Sequence, residues 1–282
     1  MPNVRTSAKG GRKTQTDHAP YSCSSDLQLV KRQWPRVTRL LSQEHETLPS
    51  LPRWDPLHQH TDLLSPLSAD NDEVLHTRAL AYLLDPVRPH GFDIDLLRRI
   101  IRRLRGMPNV RERQLNGILR LLGRTKRERE IVVIPEYRHL VKRAKKQTYP
   151  RTDIWIEIHA GRSSRLIVIE NKIEARESDL QLTSYEALAK EWRKKHPSGR
   201  PLLIFLTPDG KKPRSGTAGK WVALPYAELA GMLRRTWVAH KSAPGGEWLR
   251  LYLASILRQN SRSAFRGASQ IEFLKSYLGH KR

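Results

Sequence analysis

Asp153, Glu170 and Lys172 are the residues whose types and spacing could do chemistry together. Asp153 opens a stretch, Asp153–His159, in which Ile154, Ile156 and Ile158 alternate with Trp155, Glu157 and His159. That period of two is the pattern of a half-buried strand. Gly161–Ser164 reads as a tight turn, and Arg165–Lys172 reads as a second strand ending in Glu170-Asn171-Lys172. Strands joined by a tight turn are antiparallel neighbours, so the start of one lies beside the end of the other. Asp153 and Glu170 are therefore expected at one edge of a sheet. Two carboxylates that close repel unless a cation lies between them. Oxygen ligands without a cysteine cluster favour Mg²⁺, with Mn²⁺ as a substitute. Lys172, two residues past Glu170, falls on the same strand face. Its ammonium could steady an attacking water or the charge growing on a phosphate oxygen. An acid pair, a divalent cation and one lysine form a minimal set for phosphodiester hydrolysis.

The elements that must position this set follow the same reading. Asp70–Pro86 has helical spacing of Leu75, Ala79, Tyr82 and Leu83, with Asp70 or Asn71 as the expected N-cap. A second helix is expected from Ile94 to Arg105. Leu97, Ile100, Ile101 and Leu104 make its apolar stripe, and Gly106 closes it. Ile131–Ile134 and Pro201–Thr207 read as buried strands, Trp221–Leu224 as a short one, and Glu174–Lys195 as a long helix. Further helices are expected at 225–238, 246–259 and 269–278. Helices, three strands, a helix, two strands and more helices predict an α/β (α+β) fold with a mixed central sheet flanked by helices.

Charge and composition point to a polyanionic partner. The 282 residues carry 52 Lys+Arg against 28 Asp+Glu, a net charge of +24. Like charges repel in a compact chain, so such an excess has its usual reason in a bound polyanion, nucleic acid before an anionic membrane surface. Residues 98–151 hold 18 Lys+Arg and 4 Asp+Glu, a net of +14. Arg98, Arg99, Arg102, Arg103 and Arg105 on one helix, and Lys142, Arg143, Lys145 and Lys146, are the expected phosphate contacts. A generally basic, solvated surface is the alternative. No apolar run reaches about 18 residues, so no spanning helix is expected. The single cysteine, Cys23, excludes an internal disulfide and a cysteine zinc site. It points to a reducing compartment. Residues 1–61 read as a basic tail and linker, with room for a short helix and with Pro49, Pro52 and Pro56 as punctuation. Residues 62–282 read as the compact domain, with an Arg-rich helical insertion around 94–130.

Five ordered segments make the chain resemble the PD-(D/E)XK nuclease superfamily, in its bacterial branch with IENKI and QLxxY motifs. They are Leu83-Leu-Asp-Pro86 with His90-Gly91; Asp153-Ile154; Ile169-Glu-Asn-Lys-Ile173; Gln181-Leu182 with Tyr185; and Leu206-Thr-Pro-Asp-Gly210. The resemblance implies a restriction-endonuclease-like fold. Asp153, Glu170 and the Asn171 backbone carbonyl would be the metal ligands, and Lys172 the catalytic lysine. Glu73 would be a helix-borne acid assisting the metal, directly or through water. Gln181 and Tyr185 would be polar positions facing the site and substrate. It also implies a bacterial, cytoplasmic DNA endonuclease of anti-phage defence, acting as a homodimer or beside an operon-encoded partner and off the membrane. A nucleic-acid-binding protein of the same fold without catalysis is the other reading. Some residues have plainer alternatives. With Asp70 as N-cap, Glu73 would close a capping box. Gln181 could be solvated and Tyr185 a core aromatic. His90 fits a turn. Thr152 stands where the family pattern has a degenerate proline.

Overall fold

The computed structural model describes residues 55–58, 61–138, 141–143, 146–148, 151–173, 181–214, 218–264 and 276–278. Three helices come first: α1 (Glu73–Leu84), α2 (Asp95–Arg103) and α3 (Glu112–Leu122). Then follow β1 (Glu130–Arg138), β2 (Val141–Arg143), β3 (Lys146–Thr148), β4 (Arg151–Ala160) and β5 (Ser163–Asn171). Helix α4 (Gln181–Lys195) leads to β6 (Leu202–Thr207) and β7 (Trp221–Pro225), and α5 (Tyr226–Ala239) and α6 (Gly246–Ala264) close the order. The main sheet runs β1-β4-β5-β6-β7. Its first three strands are antiparallel and its last two pairings parallel, so the sheet is mixed as expected.

Alternation in β4 and β5 sorts their side chains onto two cores. Ile154, Ile156, Ile158, Ile167 and Ile169 enter the larger core, with residues of α1, α2, α3, α5 and α6. Trp155, Leu166 and Val168 enter the smaller one, under Leu182, Tyr185, Leu188 and Trp192 of α4. Each fully buried aliphatic side chain contributes about 1.5–3 kcal/mol, so a one-residue slip of either strand would invert both cores at once. That fixes the register that the site depends on.

Three expectations change. Asp55 and Leu57 are buried, with Asp55 bonded to Arg234 and Tyr277, so packing begins before Asp62. Helices α2 and α3 place Leu96, Leu97, Ile100, Leu115 and Ile118 in the larger core, and so belong to the sheet's own helical layer. The N-cap of α1 is Asp72, whose side chain accepts the Leu75 N–H at 3.0 Å. The short pair β2 and β3 also escaped the sequence reading. Arg138 faces Arg151 at the end of the β1–β4 ladder, and three residues further along each strand Val141 faces Thr148. The two ladders thus share one register, with β2 and β3 paired as a separate two-stranded sheet.

Candidate active site

The β4–β5 ladder pairs Ile154 with Ile169, which puts Asp153 opposite Glu170. The Asn171 N–H donates to Asp153 Oδ2 at 2.7 Å, tying the carboxylate to the end of β5. Glu170 is fully buried and neither of its carboxylate oxygens receives a hydrogen bond of good geometry. Its close charge is Lys172, whose Nζ lies 2.9 Å from Glu170 Oε1. The same ammonium donates to Glu73 Oε1 at 2.7 Å. Lys172 therefore bridges an acid of the sheet and an acid of α1. Its backbone N–H donates to the Leu206 carbonyl at 2.8 Å, so the chain leaves β5 still fixed to β6.

Glu73 is the first residue of α1, and the third helical position is Leu75. A capping box needs the glutamate at the third position, so that alternative for Glu73 falls away. Its carboxylate instead faces Lys172, and Oε2 lies 3.4 Å from the Ile173 N–H.

Burial pushes both sheet acids upward. Asp153 is raised by desolvation and by Glu73, against the opposing pull of the Asn171 N–H and Lys172. Glu170 is raised well above its ordinary value by desolvation and then by Asp153, with Lys172 opposing. Burial alone would depress Lys172, but Glu170 and Glu73 outweigh it and keep the ammonium protonated. Two like charges sharing a buried edge are thus partly held neutral, the state a divalent cation would reverse.

The residues fit a hard cation. A buried glutamate, in close contact with the Lys172 ammonium and without a hydrogen bond of good geometry, lies opposite a buried aspartate, and both offer oxygen. Among the described residues no three His, Cys, Asp or Glu side chains converge as a complete metal cage. Mg²⁺ does not need one, because it is bound through one or two carboxylates with water and substrate oxygens completing the shell.

Behind these groups Asn171 acts as a pin. Its Nδ2 donates to Thr77 Oγ1 at 3.1 Å on α1, and its Oδ1 accepts from Tyr226 at the start of α5. Thr77 and Tyr226 were missed from the sequence. Both sit among apolar helical residues and look like packing positions.

Gln181 Nε2 donates to Tyr185 Oη at 2.7 Å, and Tyr185 donates to the Arg151 carbonyl. Tyr185 is buried in the smaller core, and burial followed by the nearby Glu170 charge raises its hydroxyl. Ring and hydroxyl are both engaged inside the protein, a placement that suits holding the start of β4 rather than contacting nucleic acid. His90 is also internal. Its Nδ1 accepts from Phe92 N–H at 3.0 Å and its Nε2 lies 2.9 Å from the Asp85 carbonyl. Gly91 beside it has φ +82°, and a Cβ there would lie 2.9 Å from Pro244 Cδ, so this turn requires glycine.

The arginines of α2 are placed differently from the expectation of an open phosphate-binding row. Arg98 donates to the Leu122 carbonyl, Arg99 pairs with Asp95 at 2.8 Å, and Arg103 pairs with the buried Glu228. Arg105 donates to Asn116 Oδ1 at 2.9 Å while remaining exposed, and Arg102 is exposed. Much of this cationic row therefore holds helices together. Lys142, Arg143 and Lys146 lie on the paired backbone of the β2–β3 ribbon, and Lys145 lies outside the described residues.

A family model for the PD-(D/E)XK nuclease superfamily matches residues 61–275. The chain belongs to this superfamily, and the mixed five-stranded sheet with flanking helices is consistent with its restriction-endonuclease-like fold. No curated protein and no solved structure matches the chain. Among the described residues no helix is long and apolar enough to cross a membrane.

Proposed function

We propose that this chain is a Mg²⁺-dependent endonuclease that hydrolyses phosphodiester bonds of DNA. The observation that carries the reading is the meeting of Asp153, Glu170, Lys172 and Glu73 at one edge of the sheet. Asp153, Glu170 and the Asn171 carbonyl would hold the cation, with Glu73 beside it or joined through water. When bound, the cation polarises the phosphorus and lowers the pKa of a bound water. Lys172 would hold its charge against a phosphate oxygen or orient the attacking water. The Asn171 pin keeps α1, β5 and α5 in fixed relation, so the acids need little rearrangement on binding. Gln181 and Tyr185 would fix the start of β4 through the Arg151 carbonyl.

The net charge of +24 supplies affinity for a polyanion without sequence preference. The β2–β3 ribbon, carrying Lys142, Arg143 and Lys146, has a shape that a DNA major groove admits. Kinship extends the proposal to anti-phage defence in the bacterial cytoplasm, with a homodimer or an operon-encoded partner. The test is a matched panel of supercoiled, linear, single-stranded and RNA substrates, each with Mg²⁺ and with EDTA. EDTA-sensitive nicking of the supercoiled DNA is expected. Binding with a steep salt slope and no EDTA-sensitive product on any substrate would replace the nuclease by a binding protein.

A further inference from the structure

Glu136 has a left-handed backbone, φ +51°, in the middle of strand β1. A residue with a Cβ pays about 1–2 kcal/mol for that conformation. The ladder shows the effect: Pro135 pairs with Ile154 and Tyr137 with Thr152, while the step between them, beside Asp153, is unpaired. Such strain persists only where surrounding contacts over-determine it. Here the contacts are two arginines. Arg78 of α1 grips Glu136 Oε2 with Nε at 3.2 Å and Nη2 at 2.7 Å. Arg151 of β4 meets Oε1 through Nη1 at 2.9 Å. Arg78 chiefly, by its hydrogen bond, holds the Glu136 carboxyl below its ordinary value, so it stays ionised at neutral pH.

The trio adjoins the candidate site on every element. Arg78 follows Thr77, which bonds Asn171, and lies on the helix that begins with Glu73. Arg151 is two residues before Asp153, about 7 Å along the strand and on the same face. Both guanidiniums stay open to solvent, with side-chain exposures of 57% for Arg78 and 42% for Arg151. A guanidinium has five N–H donors in a fixed fork. Glu136 accepts two of the five donors of Arg78 and is paired with Arg151 by charge, so donors remain on both forks. The carboxylate thus orients both forks without using them up.

We infer that Arg78 and Arg151, aligned by Glu136, form a phosphate clamp that seats the substrate strand beside the scissile bond. The inference rests on the nuclease reading and deepens it. Arg78 and Arg151 are substrate-binding residues, and Glu136 is a positioning residue. The ligand class is a backbone phosphodiester of nucleic acid.

The full chain carries the test, with Arg78→Ala, Arg151→Ala, the double variant and Lys194→Ala as a charge-matched control on the exposed end of α4. With Mg²⁺ and duplex DNA, each clamp variant should raise KM roughly fivefold or more while kcat stays within about twofold. With EDTA, the slope of log affinity against log salt should fall by about one for each arginine lost. Arg78→Lys, which keeps the charge and loses the fork, should restore the slope and not the KM. It also serves if an alanine variant fails to fold. Wild-type KM and slope in folded clamp variants, or changes no larger than those of Lys194→Ala, would overturn the clamp. A wild-type protein that binds but never cleaves would sink the nuclease reading instead, and the salt slopes would still decide the clamp.

Discussion

Glu170→Gln should disable the site and stabilise the fold in the same step. The carboxylate is fully buried, receives no hydrogen bond of good geometry, and lies opposite Asp153. An amide of the same shape removes a buried charge and the repulsion with Asp153. The offsetting loss is the 2.9 Å contact to Lys172, whose ammonium keeps Glu73 at 2.7 Å. Removing one partner of a buried pair is costly when it strands the other, and here it does not. The balance should favour the variant by about 1–2 kcal/mol without divalent cation, a rise of roughly 3–6 °C in Tm for a chain of this size.

The pH dependence gives an independent sign. The folded Glu170 is raised above its ordinary value of 4.5, so the folded state holds its proton more tightly than the unfolded state. Stability from the protonated form is fully present below the ordinary value and is lost as pH rises through the raised one. The Tm advantage of Glu170→Gln in EDTA should therefore be absent below the ordinary value, grow as pH rises toward the raised one, and level off above it. A cation binding the ionised site reverses the order. At about a hundred times its Kd it would stabilise wild type by about 2.7 kcal/mol. Thermal melts of both proteins in EDTA and in Mg²⁺ or Mn²⁺, across pH, measure all of this. A variant that melts several degrees below wild type in EDTA, or with a parallel pH profile, would refute the reasoning.

Other consequences follow from single contacts. Tyr226→Phe leaves Asn171 Oδ1 without its hydroxyl donor inside the core, and should cost about 1–3 kcal/mol by chemical denaturation. Replacing Lys142, Arg143, Lys145 and Lys146 together by alanine should lower the salt slope of DNA binding by about three to four and leave kcat little changed, measured by binding titrations and initial rates. Metal titration by calorimetry should release protons, with affinity falling as pH drops, because Asp153 and Glu170 must be ionised to bind and both are raised.

The core of the site was legible because strand chemistry is local. The alternation Ile154, Ile156, Ile158 and the short turn at Gly161 suffice to set Asp153 against Glu170, and the two-residue step to Lys172 follows. The rest depends on contacts between distant residues. Thr77, Asn171 and Tyr226 meet across three elements, and nothing in the neighbourhoods of Thr77 and Tyr226 marks them as partners of the Asn171 side chain. The arginines of α2 looked like one open face because their partners, such as Glu228 for Arg103, lie far along the chain. Glu136 gives no local sign of a left-handed backbone, since the arginines that hold it come from α1 and β4. Sequence period locates an element to within a turn, so the first helix was placed correctly while its N-cap shifted from Asp70 or Asn71 to Asp72.

The most direct measurement is single-turnover cleavage of supercoiled DNA in Mg²⁺ by wild type and by Lys172→Ala, at enzyme concentrations that saturate binding. The ammonium between Glu170 and Glu73 is expected to act on the reaction and not on affinity, so the rate should fall by about a hundredfold or more while DNA binding survives. Cleavage by Lys172→Ala at the wild-type rate would contradict the account.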